Sequence, residues 1–344
     1  MSGRHRICAS LSLERQNGGN SVCTRVLWNN NDLGVLCGRT MDWPESTEPV
    51  LTVAPRGYQR HGGKVGPLDV IKENALEWKS RYGSMVVSVY GIGTVDGLNE
   101  KGLAAHALYL KSTELPERDP ARPALQIALW AQYLLDSAAT VDEAIALMRD
   151  VQLVMVESHG RQATVHLAVE DAGGDSAIME NIGGELVIHH GSEYRLMTND
   201  PRYEEQLRLL AGRDFSKPSC ELPIPGNVNP VDRFQRAAYF SAMLPEPRDE
   251  RAAAAGLLSV MRNVSVPFGA PYGEFGIYNT EYRTVVDLAS RRYFFELATA
   301  PNVVWAELDR FDLGDGEPVR ILDPDDVSLC GDVSDKFKPA TIEF

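Results

Sequence analysis

The chain is expected to adopt an α+β fold, a four-layer αββα sandwich of two antiparallel sheets, on three observations. Strand-like runs arrive in blocks, separated by blocks of helix, rather than alternating one for one as in βαβ units. The first two runs, Cys23–Trp28 and Val35–Trp43, flank the turn-forming stretch Asn29–Gly34 and read as a hairpin. Helical spacing is confined to two blocks, each with enough helix to cover one outer face of a two-sheet sandwich.

Further strands are expected at Met85–Tyr90, Leu103–Tyr109, Thr164–Val169, Ala177–Glu180, Leu186–His189 and Arg195–Thr198, then at Tyr282–Asp287, Tyr293–Leu297 and Val303–Leu308. In the first helical block, Ala121–Asp136 carries Leu125, Leu129 and Trp130 at helical spacing. Thr140-Val141-Asp142-Glu143 is a capping-box pattern opening a second helix over Ala144–Val151. The other block comprises Arg202–Leu210, Asp232–Leu244 and Arg251–Arg262, with Pro218–Pro230 as a loop inside the domain. No repeat is evident.

Composition narrows the function classes. The 344 residues hold 34 basic and 48 acidic side chains, a formal charge of −14. This acidity disfavours nucleic acid or an anionic membrane surface as a general partner. No apolar run approaches the roughly 18 residues that a membrane helix needs. The cysteines at 8, 23, 37, 220 and 330 form no CxxC pair, so neither a disulfide framework nor a zinc site is encoded, and no metal or cofactor is expected. Residues 1–22 differ from the rest, with Arg4, Arg6 and Arg15, a short apolar stretch and a polar run Gln16–Ser21. They read as a leader at the weak end of a secretory signal. The expected compartment is periplasmic if the leader exports the chain and cytoplasmic otherwise. Residues 23–344 read as one domain.

GxSxG, HExxH and P-loop patterns are missing, and Gly91-Ile92-Gly93 lacks its third glycine. His106 and His166 lie within apolar alternation and His189-His190 where a strand meets a turn, so all four read as structural. Cys23 differs by position, because it opens the first strand directly after the leader. Cutting the Val22–Cys23 bond puts a thiol and a free α-amine on one residue. With an ordinary pKa of about 7.7–8.0, the amine is a general base that needs no histidine.

The surrounding residues resemble a known family. Cys23-Thr24-Arg25 is followed sixteen and nineteen residues later by Arg39 and Asp42, within Gly38-Arg39-Thr40-Met41-Asp42-Trp43. Asp96–Leu103, Met197-Thr198-Asn199-Asp200-Pro201, Asp232–Ala238 and Thr284–Leu288 follow in order. Together they resemble the choloylglycine hydrolase family of N-terminal nucleophile hydrolases, which includes bile salt hydrolases and penicillin V acylases. The resemblance implies Cys23 as nucleophile, Asp42 holding the new α-amine, Arg39 beside the thiol and Arg233 supporting the nucleophile. It also implies the Asn199 amide and the Tyr109 backbone N–H as oxyanion donors.

Tyrosine at 109 is more like the penicillin V acylase side of the family. Trp78–Ser84 and Leu108–Leu110 are similar to its Gram-negative branch, associated with penicillin V and N-acyl homoserine lactone hydrolysis. Candidate pocket aromatics are Trp43, Tyr82, Tyr109 and Tyr272. The expected substrate is a small acyl amide, and the resemblance implies a homotetramer or homodimer. A bile salt hydrolase and a non-maturing binding protein of the same fold are the alternatives. A papain-like Cys–His pair is disfavoured, because no histidine sits in a motif that would partner Cys23.

Overall fold

The computed structural model describes residues 22–158, 160–271, 277–300 and 302–344. Residues 1–21 of the expected leader and Tyr272 lie outside the described residues. Two large sheets face each other, with helices on both outer faces, as expected.

The first sheet is built on the hairpin of β1 (Val22–Asn31) and β2 (Gly34–Trp43). Asn31 shapes its turn: Oδ1 accepts from the Leu33 and Gly34 N–H groups, while Nδ2 donates to the Trp28 and Gly34 carbonyls. The second sheet contains β3 (Val50–Ala54), β4 (Ser84–Val89), β5 (Gly93–Asn99), β6 (Ala104–Tyr109), β7 (Val165–Glu170), β8 (Ser176–Ile182) and β9 (Glu185–His190). The other strands along the two main sheets are β10 (Leu196–Met197), β11 (Ile277–Asp287), β12 (Arg292–Leu297), β13 (Val304–Glu307), β14 (Arg320–Leu322), β15 (Gly331–Asp332) and β16 (Lys338–Pro339).

The strand order of the first sheet is β10-β1-β2-β11-β12-β13-β15, antiparallel except at the β13–β15 edge. That of the second is β9-β8-β7-β6-β5-β4-β3-β14-β16, antiparallel throughout. The strand at Val50–Ala54 and the run over Gly93–Asn99 were not expected. The second carries two glycines and three polar residues, Thr94, Asp96 and Asn99, which mask a strand that is nonetheless largely buried.

Helices α1 (Trp130–Ser137) and α2 (Val141–Leu147) cover the second sheet, α4 (Pro230–Ala242) and α5 (Glu250–Val264) cover the first, and α3 (Tyr203–Ala211) packs against α4. The expected helix over Ala121–Asp136 is instead a short strand, Ala124–Gln126, a 3₁₀ turn and α1. Leu125, Leu129 and Trp130 are all fully buried, so the helical spacing marked one buried face shared by three elements. The capping box holds at its first step, Thr140 Oγ1 accepting from the Glu143 N–H at 3.2 Å, but α2 ends sooner than expected.

Strand alternation sorts the side chains of the hairpin. Cys23, Leu27, Cys37 and Met41 join the core between the sheets, whereas Val26, Trp28 and Leu36 pack in the cluster under α5. Gly38 faces that helix closely: a Cβ there would sit 2.8 Å from Met261 Cγ.

Candidate active site

The β1–β2 register sets Cys23 opposite Met41 and Val22 opposite Asp42, so the Val22–Cys23 bond lies at the open end of the hairpin. Cys23 is buried, and its sulfur lies 3.9 Å from Met41 Sδ. Arg39 Nη2 is 3.5 Å from the same Met41 sulfur and donates to the Ala107 carbonyl at 3.1 Å, while Nη1 donates to Tyr282 Oη at 3.0 Å. Burial pushes the Cys23 thiol above its ordinary pKa, and Arg39, a backbone N–H of Asp42 and Arg233 work against that rise.

The backbone nitrogen of Cys23 donates to Asn199 Oδ1 at 2.5 Å. That oxygen also accepts from Arg233 Nη2 at 2.9 Å, and Asn199 Nδ2 donates to the Tyr109 carbonyl at 2.7 Å. Asn199 follows β10 and precedes a cis Asp200–Pro201 bond in the turn into α3. Arg233 lies in the first turn of α4, whose N-cap is Asn229. A buried cation there opposes the helix dipole, and acceptors supply the compensation. Its guanidinium donates to the Cys23 carbonyl at 2.6 Å, to Thr24 Oγ1 at 2.5 Å and to the Val228 carbonyl at 2.8 Å.

Asp42 Oδ2 lies 3.8 Å from Arg233 Nη1 and accepts from Thr40 Oγ1 at 3.0 Å, while Oδ1 accepts from Thr280 Oγ1. Burial raises the Asp42 carboxyl pKa despite these partners. All six expected catalytic residues therefore belong to one contiguous constellation.

Beside the thiol runs a cleft with about 850 Å³ of empty space, solvent at its mouth included. Cys23, Arg39, Met41, Trp43 and Tyr109 line one part of it, and Val89, Ile92, Val95, Ile127, Ala163 and Val165 much of the rest. The Trp43 and Tyr109 rings lie 5.8 Å apart. Tyr82 does not line this cleft. It is buried near α1, its N–H donating to the Asp136 carbonyl and its ring in contact with the Arg81 and Lys101 cations. The sequence signal for Tyr82 was its aromatic character alone, which core and pocket positions share. The aliphatic lining was missed because it comes from several strands and a 3₁₀ turn far apart in sequence.

Two groups of side chains have metal-ligand chemistry among the described residues. Cys37, His106 and Glu170 bring ligand atoms within 4.8 Å of one another, but His106 Nε2 already meets Glu170 at 2.6 Å and Nδ1 faces Asp96. The other is Asp142, Asp175 and His190, where His190 Nε2 is bonded to Asp175 Oδ2 at 2.7 Å.

The sequence model for linear amide C–N hydrolases, choloylglycine hydrolase family, matches residues 23–328, beginning at Cys23 itself. The chain belongs to the choloylglycine hydrolase family. As a member of it, the protein is a linear amide C–N hydrolase. A penicillin V acylase of Pectobacterium atrosepticum is 36% identical over 97% of this chain and 95% of its own. A bile salt hydrolase/transferase of Bifidobacterium longum subsp. longum is 25% identical over 87% of this chain and 99% of its own. The solved penicillin V acylase of Agrobacterium tumefaciens has a TM-score of 0.83 at 38% identity, covering 94% of this chain and 99% of that one. A conjugated bile acid hydrolase variant from Clostridium perfringens has a TM-score of 0.73 at 18% identity, covering 87% and 96%, a likeness of fold. For this member of the family, the N-terminal nucleophile hydrolase sandwich expected from sequence is the fold observed.

Proposed function

We propose that this amide hydrolase is made as a precursor that cuts its own Val22–Cys23 bond and then uses Cys23 to release an apolar acyl group from a linear amide. The substrate class is of the penicillin V or N-acyl homoserine lactone type. The observation that carries the reading is a thiol in the wall of an apolar cleft, with the nitrogen of the same residue held by Asn199.

In maturation the Cys23 sulfur adds to the Val22 carbonyl, the Cys23 nitrogen takes a proton and departs, and water hydrolyses the thioester. The products are the leader carboxylate, a free thiol and a free α-amine, at the start of a single domain spanning residues 23–344. In turnover the α-amine takes the thiol proton and the thiolate adds to the substrate carbonyl. The Asn199 amide and the Tyr109 N–H stabilise the oxyanion, and Asp42, with Arg233, orients the amine. The ammonium then protonates the leaving nitrogen as the C–N bond breaks. A water that gives its proton to the amine hydrolyses the acyl thioester, restoring the thiol. Trp43 and Tyr109 contact the acyl group near the thiol.

The test combines intact mass and a substrate panel. Wild type is expected to lose residues 1–22 and to release amine from penicillin V or an N-acyl homoserine lactone, whereas Cys23→Ala keeps the segment and is inactive. An active Cys23→Ala chain defeats the mechanism. Preference for a glycine- or taurine-conjugated bile salt would favour the reading that the Bifidobacterium relative supports. A stable, uncleaved wild-type chain would favour a binding protein. Assembly as a homodimer or homotetramer belongs to the proposal and is read by light scattering.

A further inference from the structure

Behind Arg39, between the two sheets, lies a row of buried charges that the proposed reaction does not use. Arg25 on β1, Arg39 on β2, Asp96 on β5, His106 on β6 and Glu170 on β7 are all fully buried. Glu170 pairs with Arg25 through Oε2 at 2.6 Å and with His106 Nε2 through Oε1 at 2.6 Å. Asp96 turns Oδ1 to His106 Nδ1, while its Oδ2 accepts from Thr284 Oγ1 at 2.6 Å and Tyr293 Oη at 2.7 Å.

Arg39 is served differently from Arg25. Its closest carboxylate among the described residues is Asp96, at 4.0 Å, and its hydrogen bonds go to a tyrosine hydroxyl, a thioether and a backbone carbonyl. With an imidazole ring set between two carboxylates, the row reads as three cations against two anions. One positive charge is left over, and Arg39 is the member that lines the cleft beside Cys23. A surplus charge in a buried layer strongly favours a neighbouring anion.

We propose that His106 tunes the nucleophile from behind: by claiming the Asp96 carboxylate, it leaves the Arg39 guanidinium free as counter-ion to the Cys23 thiolate. The inference rests on Cys23 being the nucleophile. His106 is a positioning residue, acting through Asp96 and Arg39 and touching no substrate. The groups around it agree in direction. Burial works against a charged imidazole, but Cys37, Glu170 and Asp96 together hold His106 well above its ordinary pKa. Burial likewise opposes ionisation of Asp96, yet His106, Arg39 and Thr284 hold its pKa below the usual range. From the first sheet, the Tyr282 and Tyr293 hydroxyls face Arg39 and Asp96, and burial raises both, so they stay neutral. Cys37 is the other thiol near the ring, and burial raises it too, with Glu170 adding to the rise.

The test is a charge cycle on the mature enzyme, read by the pH dependence of Cys23 alkylation by iodoacetamide and by the acid limb of kcat/KM. His106→Gln frees Asp96 to neutralise Arg39, so both midpoints should rise by about one pH unit, the size that one nearby charge gives. Asp96→Asn removes the competing anion, and they should fall. The double variant should return toward wild type. A merely structural role predicts lost stability without opposed shifts. Equal shifts of one sign, or none, in folded variants overturn the proposal. Should His106→Gln not fold, Asp96→Asn still tests the sign, and ¹⁵N NMR of wild type tests the charge: a neutral His106 ring at pH 7 overturns it. An active wild type with unmoved variants refutes this inference alone, whereas a wild type that neither matures nor cleaves amides removes the nucleophile reading and this inference with it.

Discussion

Truncating Asn199 to alanine separates the oxyanion role from substrate binding. Asn199 is 1% exposed and makes three side-chain bonds, to the Cys23 N–H, the Arg233 guanidinium and the Tyr109 carbonyl. Asn199→Ala leaves the Cys23 nitrogen, a guanidinium N–H and a carbonyl without this partner in a buried site, at about 1–3 kcal/mol each. If the amide also donates to the oxyanion, kcat falls by about 10²–10³, equivalent to about 2.7–4 kcal/mol of transition-state stabilisation. KM should change little, because Asn199 does not line the apolar cleft. The assay is amine release from penicillin V by a chain begun at Met-Cys23, so that methionine removal replaces self-cleavage. Thermal unfolding confirms that the variant is folded. A folded Asn199→Ala enzyme with kcat within about tenfold of wild type would refute the assignment.

Further outcomes follow from the geometry. Ala163→Phe adds a ring to the cleft wall and should raise KM for long acyl chains more than for short ones, measured across an acyl-length series. Gly38→Ala places a Cβ 2.8 Å from Met261 Cγ and 2.9 Å from its sulfur, so the Met261 side chain or α5 itself must shift, at about 1–3 kcal/mol of stability read from the urea midpoint. Against burial, Arg25 and His106 hold the Glu170 carboxyl down to about 2, so its contribution is full above the ordinary carboxylate range and is lost as pH falls toward 2. His106, raised, contributes fully below its ordinary value and loses that contribution as pH rises through the raised one. Urea midpoints should therefore decline on the acid side, and Glu170→Gln should flatten that decline.

Much of this architecture was legible in the chain because strand alternation is local. The hairpin around Asn29–Gly34 could be read from turn chemistry and flanking β runs, and Asn31 does fasten that turn. The helix expected over Ala121–Asp136 failed for a physical reason. Burial on one face imposes the same apolar spacing whether the backbone is a strand, a 3₁₀ turn or a helix, and only packing against Gln152–Val154 decides between them. Tyr82 failed similarly, since an aromatic side chain serves core and cleft equally well. The inward charges Arg25, Asp96, His106 and Glu170 do carry a signal in the sequence. Each occupies an apolar-parity position in a strand, where an unpaired charge is too costly to keep.

The sequence by itself determined the layered class, the placement of Cys23 at the start of the first strand, and the order of motifs that carries the family. These depend on neighbours in the chain, on periodicity and on the chemistry of single residues. Only the tertiary structure decided which side chains meet. Asn199 reaches the Cys23 nitrogen from 176 positions away, and Arg233 spans 210 to reach the Cys23 carbonyl. The cleft wall and the buried charge row likewise exist only where the two sheets face each other. Long-range pairing of this kind leaves no local periodicity, because its energy comes from burial and charge compensation between strands that are brought together only by folding.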